Sequence, residues 1–336
     1  AGFVWNHSGV SFLRRLPGSV VAFIMTNSTV VGRVDALIRF FLYVLIFWLP
    51  YSPAVVETCV IFSLMLWLLK RGILLAETKG PAETVKEKLS RLFRDIKPES
   101  SFLNKPIGFF VFACILSVTG SAFFEQSLRS FFTKTLEWFI VYFLVIEVFK
   151  DKKHIAIVLA VFIFTALSTA VDSLVQFYVT HKDIFVGHVI EPGGRPGAGF
   201  KTPNGLGGYW TVIIPGLSAW ILLGKQKFSY RVIASSILLL LTWSLILTFS
   251  RGAWLGTFLG VTFLLFFILF PGKRSHIYLS LGMFWAVIFF SLVLVFIVAY
   301  DSGQTILERF ETIRWRLGIW NVSIEMIKDK PFFGHG

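Results

Sequence analysis

Charge is scarce in this chain. Of its 336 residues only 15% are Asp, Glu, Lys or Arg, while 55% are hydrophobic and 17% aromatic; a soluble domain carries roughly a quarter charged residues. That shortage excludes an ordinary soluble globular protein. Cysteine is nearly absent too. Cys59 and Cys114 each lie inside an apolar run, with no metal-ligand spacing, so both read as packing residues and carry no information on redox compartment. The chain has no Walker loop, dinucleotide fingerprint or catalytic metal cluster, no repeat at a solenoid period and no low-complexity tract. A cleavable signal peptide is missing as well: Arg14 and Arg15 precede a weak apolar stretch without a small-residue cleavage site. The sequence opens at Ala1 and stops at Gly336, and reads as a fragment cut at both ends.

What is present is apolar residues gathered into long runs. They fall at about 36–49, 54–69, 106–123, 134–149, 155–178, 205–223, 232–249, 252–270 and 277–300, which predicts about nine crossings of ~30 Å of hydrocarbon. The first two runs are short enough to form a re-entrant pair. Because the runs are apolar on every face, a β-barrel is excluded. The expected fold is an all-α polytopic membrane protein, a single membrane domain over 1–336. Its net charge of +13 reads as basic cytoplasmic loops rather than as a nucleic-acid surface. Loop 70–105 and the basic stretches at 150–154, 225–231 and 271–276 all fall on one side when the runs are counted as single crossings. The positive-inside rule makes that side cytoplasmic. Within the first of these loops, Val85, Leu89, Leu92, Phe93 and Ile96 share one helical face, the pattern of a basic amphipathic helix lying on the inner leaflet.

On the opposite side the same rule expects few arginines, yet Arg195, Arg251, Arg314 and Arg316 all lie there. Arg195 sits in "EPGGRPGAGFKTPNGLGGYW", where Pro203 and Asn204 start the next helix and Gly205, Gly207 and Gly208 allow close approach. A helix N-terminus behind an arginine is a ready anion site; a flexible loop whose arginine binds lipid headgroups is the competing reading. Arg251 sits in "TFSRGAWLG", in a tight turn bracketed by Ser250 and Gly252, with Gly256 and Gly260 permitting tight helix packing. An arginine that merely snorkels to headgroups explains this stretch alone equally simply. Residues 306–336 form an amphipathic helix ended by Asp329-Lys330-Pro331. Arg314 and Arg316 are two apart on it, so at most one faces a common pocket. Acidic residues within or at the ends of apolar runs, Glu57, Glu137, Glu147 and Asp172, mark buried polar contacts or an ion path. Asp172 is placed to pair with one of the outer arginines or to make an ordinary interhelical salt bridge.

The order "GRPGAGFKTPNGLGGYW", then "TFSRGAWLG", then "RWRLGIWNVSIEMIKDKPFFGHG" resembles the O-antigen ligase and polymerase superfamily of bacterial membrane glycosyltransferases. The likeness runs from about residue 190 to the end; upstream it is one of topology. The resemblance implies a metal-independent transferase without cofactor in the bacterial inner membrane, working on its periplasmic side among membrane lipids. Its donor partner is an undecaprenyl-diphosphate-linked glycan, and its acceptor a lipid A core, a growing glycan chain or a protein hydroxyl. Arg195 and Arg251 then take the family's diphosphate-binding role as the catalytic arginines, with Arg314, Arg316, Asn204 and Ser250 as substrate-binding candidates. Segment 301–336 becomes the start of a large periplasmic loop. The family's histidine lies downstream of the "PFFGHG" turn, His335 occupies a variable position, and His188 is a slightly better substitute. The chain is therefore expected to hold donor yet to lack a complete catalytic set. The alternative is a transporter of a small anion such as bicarbonate, or of a lipid-linked glycan.

Overall fold

A computed structural model describes residues 18–77, 101–224, 226–269, 306–331 and 334–335. Among these residues every extended element is a helix: α1 Gly18–Trp48, α2 Pro53–Glu77, α3 Asn104–Thr119, α4 Phe124–Ser130, α5 Glu137–Val148, α6 Lys152–Val175, α7 Pro203–Leu223, α8 Phe228–Leu247, α9 Arg251–Leu269 and α10 Ile306–Asp329. A π-helical turn, Phe131–Leu136, joins α4 to α5, and another, Gln176–Thr180, extends α6. Five helices among the described residues are long and apolar enough to cross a membrane: Pro53–Leu74, Lys152–Thr180, Pro203–Leu223, Phe228–Leu247 and Arg251–Ile268. They coincide with five of the apolar runs. The expected count of nine is not reached. The first run lies inside the longer α1, the third falls on the 16-residue α3, and the fourth starts in the π-helical turn and continues as the 12-residue α5. The second lies in α2, where Pro53–Leu74 is long and apolar enough to cross by itself. The last run, 277–300, and the basic amphipathic helix of loop 70–105 lie outside the described residues.

The chain divides into two compact units. One comprises Phe47–Pro53 and Phe162–Ile313, and α7 is its centre. Trp210, fully buried, is flanked by Leu206, Ile214, Leu241 and Leu245. Its indole N–H donates to Ser244 Oγ at 3.1 Å, and Ser244 in turn shares a hydrogen bond with Ser173 at 2.6 Å, so the buried polar edge of the ring is satisfied. The α7/α9 crossing depends on missing side chains. A Cβ on Gly207 would lie 2.7 Å from Ala253 Cβ, one on Gly260 2.9 Å from Pro215 Cγ, and one on Gly256 3.3 Å from Thr211 Cγ2. The glycines expected to permit tight packing do so here, at four-residue intervals along α9. Gly208, by contrast, faces open space.

The other unit comprises the chain to Ile46, Ala54–Val161 and Arg314 onward. Its ends of α1, α2 and α5 are tied by charge. Lys70 Nζ bridges Asp35 at 2.7 Å and Glu147 at 2.9 Å, Arg71 reaches Glu147 at 2.8 Å, and Trp67 Nε1 donates to the same carboxylate at 2.6 Å. Arg71 also stacks over the Trp67 ring, 5.0 Å from its centroid. Glu147 thus has the buried polar contact that its place in an apolar run implied.

Candidate functional site

Helix α8 ends abruptly. Thr248 Oγ1 donates back to the Leu245 carbonyl at 2.7 Å and accepts the Ser250 N–H at 3.2 Å. Phe249 takes a left-handed backbone, φ 47°, unusual for a bulky residue. The reversal is complete within Thr248–Ser250, and Arg251 becomes the first residue of α9. Trp254, a turn later, donates its indole N–H to the Leu245 carbonyl at 3.0 Å, pinning the new helix to the end of the old one.

Arg195 is fastened to this turn. Its Nε donates to the Thr248 carbonyl at 2.7 Å and its Nη2 to Asn204 Oδ1 at 3.2 Å. Asn204 lies in the first turn of α7, whose N-cap Thr202 accepts the Gly205 N–H at 3.1 Å through its hydroxyl. The guanidinium carries five N–H groups in a planar fork, so two are used in holding its geometry and three remain. Burial, and then the charge of Arg251, draw the Arg195 pKa below its ordinary value. Arg195 is thus bonded to a residue three positions before Arg251. Among the described residues neither arginine is paired with a carboxylate, and the first turn of α9 contains no acidic residue. Two helix N-termini, α7 and α9, add the positive ends of their dipoles to the same place. Such a concentration of donors and uncompensated positive charge is suited to a doubly charged oxyanion.

The sequence candidates separate on this basis. Arg195, Asn204 and Arg251 converge. Ser250 joins them in the turn but is buried, packed where a Cβ on Gly207 would meet its own at 3.1 Å. Arg314 and Arg316 are exposed on α10, in the other unit. Helix α10 ends at Asp329 as expected. The pairing expected of Asp172 with an arginine is not found: its Oδ1 accepts the Ile184 N–H at 2.7 Å, and its Oδ2 has no hydrogen-bond partner. A carboxylate in the last turn of α6 reaches the loop just beyond that helix more readily than a guanidinium already engaged elsewhere.

Several residues that organise the loop before Arg195 carried no motif. The fully buried side chain of Asp183 accepts backbone N–H groups from Val186 at 2.6 Å, Gly187 at 3.0 Å and His188. Gln176 Oε1 accepts from Gly197 at 3.1 Å and Ala198 at 2.9 Å, while its Nε2 donates to the His188 carbonyl at 2.9 Å. Tyr51 OH bonds Ser168 at 2.7 Å and Thr169 at 3.0 Å. A signal existed for some of these. Thr165, Thr169, Asp172, Ser173 and Gln176 recur at helical spacing on an apolar helix, and all are buried; a polar stripe there points inward. His188 Nδ1 lies 3.5 Å from both Asp183 Oδ2 and the Ala198 carbonyl, which turns Nε2 away from them. Among the described residues no group of three His, Cys, Asp or Glu gathers to hold a metal ion.

Residues 234–336, which include the Thr248–Arg251 turn, match the O-antigen ligase family model. A general O-oligosaccharyltransferase of Acinetobacter baylyi is 28% identical over 158 residues, covering 42% of this chain and 26% of that protein. The chain thus spans about a quarter of that curated relative's length. No solved structure matches. Of the three motifs read from the sequence, "TFSRGAWLG" and "RWRLGIWNVSIEMIKDKPFFGHG" lie within the residues matched by the family model, and the loop of Arg195 precedes them.

Proposed function

We propose that this chain, of the O-antigen ligase superfamily, takes part in moving a glycan from undecaprenyl diphosphate to an acceptor at the periplasmic face of the bacterial inner membrane. The acceptor is a lipid A core or a growing O-antigen chain. In such a transfer an acceptor hydroxyl oxygen attacks the anomeric carbon, the bond from that carbon to the phosphate oxygen breaks, and negative charge grows on the departing diphosphate. Arg195 and Arg251 neutralise that charge. Guanidinium forks fix geometry as well as charge, and donors arranged before the reaction act on charge that appears in the transition state. The diphosphate's charge is met by side chains, so the reading requires no metal ion.

The observation that carries this reading is the Arg195–Asn204–Thr248 arrangement beside an unpaired Arg251. An arginine that only snorkels has no need of an asparagine and a carbonyl to aim it. A carrier for a small anion would instead set its binding groups at interruptions near the middle of crossing helices, whereas Arg251 begins one.

The test is glycan transfer by the natural full-length chain in membranes, with Arg251→Lys and Arg251→Ala compared to the parent at equal insertion. Loss in both supports a two-pronged contact to the diphosphate. Full activity in Arg251→Lys overturns that contact, and full activity in both overturns the site.

A further inference from the structure

Helices α3 and α4 form a hairpin, and beneath its turn lies a cavity of about 410 Å3. Its wall presents Ser117, Gln126, Ser130 and Thr135 together with Phe123 and Phe131. No carboxylate, amine, guanidinium or imidazole lines it, so a small ion has nothing there to balance its charge. The hydroxyls are set in an unusual way. Thr119 and Thr133, on the same hairpin, turn their hydroxyls back onto the Leu116 and Arg129 carbonyls at 2.9 Å each, as serines and threonines in apolar helices commonly do. Ser117, Gln126, Ser130 and Thr135 make no side-chain hydrogen bond to any described residue. The wall opposite α3 is the π-helical turn Phe131–Leu136, a departure from α-helix that often accompanies function.

The rim is also fixed. Ser127 and Ser121 share a hydrogen bond at 2.9 Å, and Ser121 Oγ donates to the His335 carbonyl at 2.9 Å. Lys330 Nζ reaches the Gly120 carbonyl at 3.4 Å. The turn following α10, part of the segment that matches the O-antigen ligase family model, is thereby seated on the mouth of the cavity. His335 Nε2 lies 3.2 Å from Asp329 Oδ2, off the line of a hydrogen bond.

We propose that this cavity is a glycan subsite that takes one neutral sugar ring. Each sugar hydroxyl both donates and accepts, which matches hydroxyl and amide groups left without protein partners; the apolar face of the ring matches Phe123 and Phe131. An acyl chain would satisfy the phenylalanines and leave the half-buried Ser117 and Thr135 without partners. The identity of the glycan rests on the transfer reading above, as a ring of either the donor or the acceptor.

Cys114 lines the same cavity, whereas Cys59 is buried, so alkylation of Cys114 reports occupancy. The experiment follows maleimide labelling in the natural chain, in lipid nanodiscs, with a Cys59→Ala background. Two probes are compared: oligosaccharide released by mild acid from the host's lipid-linked donor pool, and the host's lipid A core oligosaccharide. Saturable slowing of labelling by one of them supports the subsite and says which chain occupies it, and Gln126→Ala should then raise the half-saturating concentration roughly fivefold. No slowing by either, or equal slowing by added phospholipid, overturns it. As a second readout, Ser130→Trp fills the cavity: a raised KM for one glycan with kcat kept is expected, and unchanged KM for both overturns the subsite. Should transfer prove independent of Arg251 while Cys114 is still protected, the arginine site falls and the subsite stands; should no transfer be found in the parent, the transfer reading falls and protection of Cys114 alone decides the subsite. If transfer needs Arg251 but neither readout responds, the subsite alone falls.

Discussion

The chain holds two clusters of cationic side chains, and they are answered in opposite ways. Around Glu147, Lys70 and Arg71 are matched by two carboxylates and an aromatic face, and the Trp67 indole N–H donates to the Glu147 carboxylate. Around the α8–α9 turn, Arg195 is held by neutral acceptors only, Arg251 has no carboxylate partner among the described residues, and burial followed by the charge of Arg251 lowers the Arg195 pKa. A cluster that neutralises itself needs nothing further and serves to join helices. A cluster oriented but left positive has an unmet need for an anion. The difference lies in the partners rather than in the number of arginines.

The comparison breaks most severely at Glu147. Glu147→Leu leaves Arg71 without a carboxylate and Lys70 with one, in a buried setting, and should destabilise the fold by roughly 3–5 kcal/mol. Thermal unfolding of purified protein in detergent reads this, and an unchanged Tm would show that the cluster does not join the helices. Next comes Arg251. Removing a donor that acts on developing transition-state charge should lower kcat by about 100-fold or more, with Arg251→Ala unfolding at the parental temperature. The two variants thus sort the clusters: one loses stability, the other activity.

The α7/α9 crossing follows. Gly207→Val places a methyl-bearing carbon where 2.7 Å separates it from Ala253 Cβ, an overpacking that should cost about 1–3 kcal/mol and shift Asn204 relative to Arg251. Gly252→Ala, with open space around it, should be tolerated; equal destabilisation by the two would contradict the close approach at Gly207. The smallest effect is expected of Asn204→Ala. It leaves the charge of Arg195 intact and removes one of its two anchors, so kcat/KM for transfer should fall roughly threefold, within the range of a single hydrogen bond. A fall as large as that of Arg251→Ala would make Asn204 a direct ligand instead of an aiming residue.

Much of this was legible because hydrophobic periodicity and end signals are local. Each of the five membrane-length helices lies on an apolar run, α10 ends at the Asp329 that precedes Lys330-Pro331, and glycine spacing on α9 foretold its close packing. Arg195 and Arg251 were named from their neighbours, and they do converge. What escaped is long-range or made by the backbone. Nothing in "DIFVGH" announces that Asp183 gathers three backbone N–H groups, since any short polar residue in a loop can do so. Asp172 suggested an arginine partner because charge attracts charge, yet a backbone N–H twelve residues on was closer. Helix α1 begins well before its apolar run, at Gly18, because a helix is propagated by backbone hydrogen bonds and not stopped by a few polar residues. The free hydroxyls under the α3–α4 turn were unreadable for a further reason: sequence names a serine but not where its proton goes.

The most direct test of the central claim is binding of a short-chain polyprenyl diphosphate to the protein in nanodiscs, with the uncharged polyprenol as reference. The account predicts preference for the diphosphate, a Kd raised about tenfold or more in Arg195→Ala and again in Arg251→Ala, and no effect of either substitution on polyprenol binding. Equal affinity of the parent and both variants for the diphosphate would contradict it.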